Sequence, residues 1–368
     1  MATGASPKTP VALYRAVKAD PSDFFTSEEV DKSRSYQKPL SRARIVGGAI
    51  SIASVVAMLV TKLGPAIIDR FARHSPWPVQ LTLVLVAFIV ISTLTGLPVA
   101  IWTDFVHDKK WGFSTQTAGR FIGDQFKGII LGSVLFAILM VPIWALIRST
   151  ELWWVWGMVV FIVFSVGIAI LFPVLIVPIF NKLTPLQEGP LRSRLTQLAE
   201  HAGVDISEYK VMDASKRTKK DNAFFAGMGK TRSVVIFDNM LETPEDQVEV
   251  VVAHEIGHWR RGHIRRQIMI AVFTSLATLG FIKWATGFSA LLKIAGVTSV
   301  KDPGAFVLFV AAFSVASTVL IVVGAWFSRW FEREADFDAL ELTHNVEAYQ
   351  ALWRSMTSRN LPDLTPNW

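Results

Sequence analysis

Apolar residues gather into six long runs separated by polar stretches. The runs are Ile45–Ile68, Ser75–Thr103, Gly128–Ile147, Leu152–Asn181, Gln267–Leu292 and Gly304–Ser328. Each is close to or longer than the ~20 residues a helix needs to cross a bilayer. Only Lys62 in the first run and Lys283 in the fifth interrupt them with charge. Trp102, Trp153, Trp154, Trp156 and Trp326 stand at run ends, where amphipathic rings favour the headgroup region. The pattern predicts six membrane-spanning helices. The first begins near residue 45 without a small-residue cleavage pattern after it, so it reads as a helix and not a signal peptide.

Lys182–Arg266 is the one sizeable polar stretch between runs, and it reads as a small α+β unit. Pro190 opens a helix over Leu191–Ala202. Tyr209–Met212 is a strand, and Phe224-Phe225 forms a hairpin with Val234–Phe237 across Gly227-Met228-Gly229. Pro244 starts a long helix, and no proline follows until Pro303. That helix is therefore expected to run straight into the fifth span. The chain divides into a cytosolic N-terminal segment (1–44), four spans with their loops (45–181), the polar domain (182–266), two further spans (267–328), and a cytosolic helix with the C-terminal segment (329–368). The fold class is a mainly α membrane protein, with about six transmembrane helices capped by a small α+β domain.

Composition narrows the chemistry. Of 368 residues, 51% are hydrophobic and 18% charged, which excludes a disordered chain. There is no cysteine, so disulfide frameworks, cysteine zinc fingers, iron–sulfur centres and cysteine nucleophiles are excluded. Six spans put both termini on one side. Thirty of the 37 Lys and Arg residues fall in the segments of that side, which places the termini and the polar unit in the cytosol by the positive-inside rule. The basic run Lys216–Lys220 reads as a solvated loop near anionic lipid, and no nucleic-acid partner is expected. Gly229-Lys230-Thr231 resembles the end of a phosphate loop, but Phe224 stands where its first glycine is required. The Gly-x-Ser-x-Gly of serine hydrolases does not occur.

Three of the seven histidines fall within His254-Glu255-Ile256-Gly257-His258-Trp259-Arg260-Arg261-Gly262-His263. Residues i and i+4 share a helix face, so His254 and His258 can reach one metal ion. Glu255, next to the first histidine, is placed to act as general base toward a water at that ion. An apolar stripe of Val248, Val251, Val252, Ile256 and Trp259 flanks the histidines. His263 lies about half a turn further round and is not expected to be a ligand. Catalytic zinc takes three protein ligands. Two acidic pairs follow the sixth span: Glu332 with Asp336, and Glu334 with Asp338. Their faces lie about 200° apart, so only one pair can face the metal, and spacing leaves the choice open. The plainer reading of either pair is an exposed acidic face balanced by Arg329 and Arg333.

These residues resemble the type I CAAX prenyl proteases, integral membrane zinc endopeptidases. The likeness extends over Lys32-Ser33-Arg34-Ser35-Tyr36-Gln37, then Leu94–Pro98 with Phe105, Gly112-Phe113 and Gln116-Thr117. It continues through Pro178, Phe180–Leu186, Glu188-Gly189, Ser215–Arg217, Asn222–Phe224, the histidine motif, and Arg329, Phe331-Glu332 and Ala335-Asp336. The resemblance implies Glu332 as third zinc ligand and Asp336 as the partner orienting a histidine, leaving Glu334 and Asp338 at the surface. It implies one zinc ion per chain, and an edge strand holding Asn222 and Ala223 that pairs with extended substrate. It implies a zincin-like cap over helices ringing a water-filled chamber. Eukaryotic members begin with one more span. The family pattern also continues past Trp368 to a Ser-His-Pro stretch and an arginine.

The expected function is zinc-dependent hydrolysis of peptide bonds in CAAX-type prenylated or other membrane-associated polypeptides. The partners are then a peptide or protein substrate and the lipid bilayer. The expected location is the endoplasmic reticulum membrane or a bacterial inner membrane, with the zinc domain facing the cytosol. The alternatives are a quality-control protease indifferent to prenylation, a site-2-type intramembrane metalloprotease, and an inactive membrane scaffold. The arginines at 260, 261, 265 and 266 argue against the site-2 type, whose histidine motif lies within an apolar span.

Overall fold

A capping box opens the first helix: Thr26 Oγ1 accepts from the Glu29 N–H, and the Glu29 carboxylate accepts from the Thr26 N–H. The computed structural model describes residues 21–227 and 232–364. Helix α1, Ser27–Val60, starts well before the apolar run at Ile45 and carries its charged first turns as a continuous rod into the span. Three more spanning helices follow: α2 (Trp77–Lys110), α3 (Ala118–Ser149) and α4 (Trp153–Phe180). The polar unit contains β1 (Leu183–Pro185), α5 (Pro190–His201), β2 (Glu208–Met212), β3 (Ala223–Ala226), β4 (Ser233–Phe237) and α6 (Glu245–Arg260). The last helices are α7 (His263–Thr286), α8 (Phe306–Thr343) and α9 (Val346–Asn360). Among the described residues, six helices are long and apolar enough to cross a membrane.

The spans are knit together mainly at one end. Leu81, Leu85, Ile143, Trp144, Trp153, Ile282, Phe306 and Phe309 form a buried cluster there, joining α2, α3, α4, α7 and α8. Towards the other end the helices stand apart. Only 6% to 28% of each span's most apolar window is buried, and on α8 Ile321, Val322, Val323 and Gly324 are exposed on successive faces of one turn. The polar unit lies at this looser end, where α8 runs on past the span. Its 38 residues measure roughly 57 Å at ~1.5 Å per residue, well beyond a ~30 Å hydrocarbon core.

The sheet has strand order β1-β2-β4-β3, with β2 and β4 parallel and the outer pairs antiparallel. Central β4 is apolar on both faces because both are covered. Val234 and Ile236 pack on Val248, Val252 and Ile256 of α6, while Val235 packs with Met212 and with Val177 at the end of α4. The expected hairpin is present as the antiparallel β3–β4 pair, and its turn at Met228–Gly229 lies outside the described residues, as do the Lys230-Thr231 step and Pro366–Trp368.

Two expectations need correction. The histidine helix does not run straight into the fifth span. Gly262 adopts φ +64°, a left-handed conformation suited to glycine, and α6 ends at Arg260 before α7 begins at His263. The span it joins also ends at Thr286, and Ser289–Ile294 forms a separate short helix.

The junction between the two halves is polar and specific. The Tyr36 hydroxyl donates to Asp108 at 2.6 Å, and the Lys220 ammonium donates to that hydroxyl at 2.9 Å and to Asp108 at 3.2 Å. Ser33 and Gln37 donate to the carbonyls of Pro362 and Leu361. Arg217 makes a two-point pair with Asp124 on α3 at 2.9 and 3.2 Å and donates to Asn181 at 3.0 Å. The motif residues outside the histidine helix thus tie α1, α2, α3 and α4 to the polar unit.

Candidate metal centre

Helix α6 is buried on more of its circumference than a single stripe. Val248, Val252 and Ile256 face the sheet, Val250 faces Ala348 and Leu352 of α9, and Gly257 faces α8. A Cβ on Gly257 would stand 3.0 Å from backbone atoms of Ala335 and from the Asp338 Cβ. The glycine therefore lets α8 cross close enough for its acidic residues to reach the histidines.

The crossing brings His254, His258 and Glu332 together, with one ligand atom from each within 4.8 Å of the others. The two Nε2 atoms are 3.2 Å apart, and Glu332 Oε2 lies 3.3 Å from His254 Nε2 and 3.8 Å from His258 Nε2. Ligands at 2.0–2.2 Å around a tetrahedral zinc stand about 3.3–3.6 Å apart, so the donor triangle has the size such an ion needs. Asp336, one turn beyond Glu332, meets His254 Nδ1 at 2.9 Å. A carboxylate only accepts, so Nδ1 carries the hydrogen and Nε2 turns its lone pair towards the triangle. Burial alone would lower the basicity of His254, but Asp336 and then Glu332 hold the imidazole up to about 10. A proton and a divalent cation compete for the same electron-rich point. Tyr349 of α9 also faces Asp336; burial first, and then that carboxylate, push its phenol above the ordinary range.

Glu255 sits on the same helix, half-buried. Burial pushes its carboxyl up, opposed by the neighbouring histidines and by the Phe225 N–H that it accepts. Phe225 belongs to β3, an outer strand. Asn222, just before β3, gives its carbonyl to the Phe237 N–H. By the antiparallel alternation, Phe224 and Ala226 also face β4, while Ala223 and Phe225 turn their backbone groups to the open edge. The open edge therefore runs beside Glu255, with Asn222 exposed at its start.

Glu334 and Asp338 do not lie at the surface, which is a third correction. Glu334 accepts from His263 Nε2 at 2.9 Å and from Arg266 at 2.6 Å, and Asp338 pairs with Arg261. Both are buried. His263 stands behind His258, with Nδ1 to Nδ1 at 2.8 Å. Sequence reasoning missed this layer because it treated one acidic face as inward and the other as solvated, whereas α8 lies with both faces against the bend at Gly262. The one available hint was composition: Arg261, His263 and Arg266 cluster at the helix junction and pair with Glu334 and Asp338 of α8.

Two family descriptions match the chain. "CAAX prenyl protease N-terminal, five membrane helices" matches residues 11–182, and "Peptidase family M48" matches residues 185–360. The chain belongs to the CAAX prenyl protease family of M48 peptidases. CAAX prenyl protease 1 of Saccharomyces cerevisiae is 30% identical over 274 residues, 70% of this chain and 59% of the yeast protein. The chain thus spans under two thirds of that relative's length. The human CAAX prenyl protease 1 homolog is 25% identical over 89% of this chain and 79% of its own length. The Bacillus subtilis protein described as an uncharacterized metalloprotease, YhfN, is 24% identical over 96% and 85%. The crystal structure of S. mikatae Ste24p superposes with a TM-score of 0.84 at 23% identity, covering 96% of this chain and 88% of that one, a shared fold. With the six apolar helices, family membership makes this a multi-pass integral membrane protein.

Proposed function

We propose that the chain is a zinc-dependent membrane endopeptidase whose metal is held by His254, His258 and Glu332, with Asp336 orienting His254 and Glu255 as general base. The observation that carries the reading is the donor triangle, assembled from two helices and matched in size to one tetrahedral ion. When bound there, zinc supplies Lewis-acid polarisation of a carbonyl and a water nucleophile near neutral pH. Glu255 takes the proton of the attacking water and returns it to the departing amine. Its half-buried carboxyl, raised above the usual carboxylate range, suits that exchange. An extended substrate adds to the free edge of β3, using the outward backbone groups of Ala223 and the Phe225 carbonyl, while Asn222 meets the chain beside them. That edge holds the peptide against Glu255 and fixes which bond is presented.

The substrates proposed are CAAX-type prenylated or other membrane-associated polypeptides, a reading supported by the names of the yeast and human relatives. The cytosolic side, of the endoplasmic reticulum or of a bacterial inner membrane, is proposed for the zinc domain. It is supported by the thirty Lys and Arg residues of the segments on that side. Because α6 ends before the Gly262 bend, the histidines lie outside the apolar span, which favours this reading over the site-2 type. The test is mass spectrometry of products from farnesylated and unfarnesylated CAAX peptides, with and without chelator. Chelator-sensitive cleavage at one bond is expected, faster for the farnesylated peptide. Equal rates would favour a quality-control protease, and cleavage indifferent to chelator would overturn the metal reading.

A further inference from the structure

His263 is 1% exposed, and among the described residues it is the most deeply buried histidine. It sits at the first position of α7, immediately after the left-handed Gly262, so the bend aims its ring back under His258. Phe331 stacks on the ring at 4.5 Å and 22°, which fixes the plane in which its two nitrogens point. One nitrogen meets the Glu334 carboxylate and the other meets His258 Nδ1. Arg266 sets a guanidinium on the far side of the same carboxylate oxygen.

With His263 neutral, the donor and acceptor roles along this row of hydrogen bonds follow link by link. A carboxylate accepts and cannot donate, so His263 Nε2 must carry a hydrogen. A neutral His263 then has a bare Nδ1, which can only accept. His258 Nδ1 must therefore donate, and His258 Nε2 is left as a lone pair directed at His254 Nε2 and Glu332. Arg266 supplies the countercharge that makes a buried carboxylate tolerable there.

We propose that Glu334 and His263 form a positioning relay that fixes the tautomer and ring orientation of His258, so that its Nε2 is presented to the metal. The relay is the counterpart, on the second histidine, of Asp336 on the first, except that an imidazole stands between the carboxylate and the ligand. The two acidic pairs of α8 thereby serve both ligands: Asp336 acts directly on His254, and Glu334 acts through His263 on His258. This rests on the zinc reading above.

The experiment uses the full chain purified in detergent. Zinc affinity is measured by competition with chelators of graded strength, and the cobalt(II)-substituted protein gives a visible spectrum that reports ligand geometry. His263→Ala is expected to weaken zinc binding about 10- to 100-fold, the usual cost of losing an outer partner of a ligand, and to alter the cobalt spectrum. His263→Asn places a side-chain oxygen near the former Nδ1 and is expected to recover most of the loss. Glu334→Gln keeps the shape but can donate as well as accept, and is expected to weaken zinc binding in the same direction. Wild-type affinity and spectrum in His263→Ala would overturn the relay, as would equal losses in the Ala and Asn variants, which would mark a packing role. Should His263→Ala fail to fold, undiminished affinity in Glu334→Gln overturns it. Absence of zinc binding by the unaltered chain would instead overturn the zinc reading itself.

Discussion

Glu255 and His258 share a helix but have separable duties, and separability is what single substitutions read. Glu255→Gln is expected to retain zinc while losing roughly 10²–10⁴-fold in peptide hydrolysis, measured on one preparation. Hydrolysis surviving that change would remove Glu255 from the role of base. The elevated His254 imidazole sets a pH dependence. A group held up to about 10 keeps its proton below that value, so zinc must displace a proton at neutral pH. Zinc affinity is expected to rise between pH 6 and pH 8 and zinc uptake to release protons, as chelator competition at the two pH values would show. The histidine spacing and Glu255 were legible in the sequence because they repeat a helical period on one face. Glu334, Asp338 and His263 were not. A helical wheel gives the angle between two faces but not what covers each, and here a bent neighbour covers both.

At the scale of elements, the site depends on how closely α6 and α8 cross. Gly257→Ala would drive a methyl against the Ala335 backbone at 3.0 Å. It is expected to destabilise the protein by about 1–3 kcal/mol and to lower zinc retention, because α8 carries Glu332. Thermal melting with parallel metal analysis checks this; unchanged zinc in a folded variant would show that the crossing has slack. The strand pattern of β2, β3 and β4 was readable from β-branched and aromatic runs flanked by turns. The edge strand β1 was not, since it has three residues ending in Pro185, whose missing N–H hides it from any ladder pattern. The start of α1 was written in the Thr26–Glu29 capping box, but the charged turns after it do not look like part of a span. The bend at Gly262 was signalled only by the glycine itself, and the absence of proline argued the other way.

For the whole molecule, the apolar runs fixed the number of spans, because nothing but length and hydropathy is needed for that. How tightly the helices pack was hidden, since a lipid-facing and an inward-facing apolar side chain look alike in sequence. Sidedness can be tested on a chain that has no cysteine of its own. Single cysteines at Glu200 in the polar unit and Thr298 beyond the fifth span, both exposed, are expected to label from opposite sides of sealed vesicles, with Glu200→Cys protected on the cytosolic side. Labelling of both from one side would reverse or break the six-span topology. The account as a whole turns on one ion held jointly by the helix before the fifth span and the part of α8 that runs on past the sixth. Elemental analysis of purified wild-type, His258→Ala and Glu332→Ala protein tests it most directly. About one zinc per chain in the wild type, lost in both variants, is the expected result; a full complement of zinc in Glu332→Ala would contradict it.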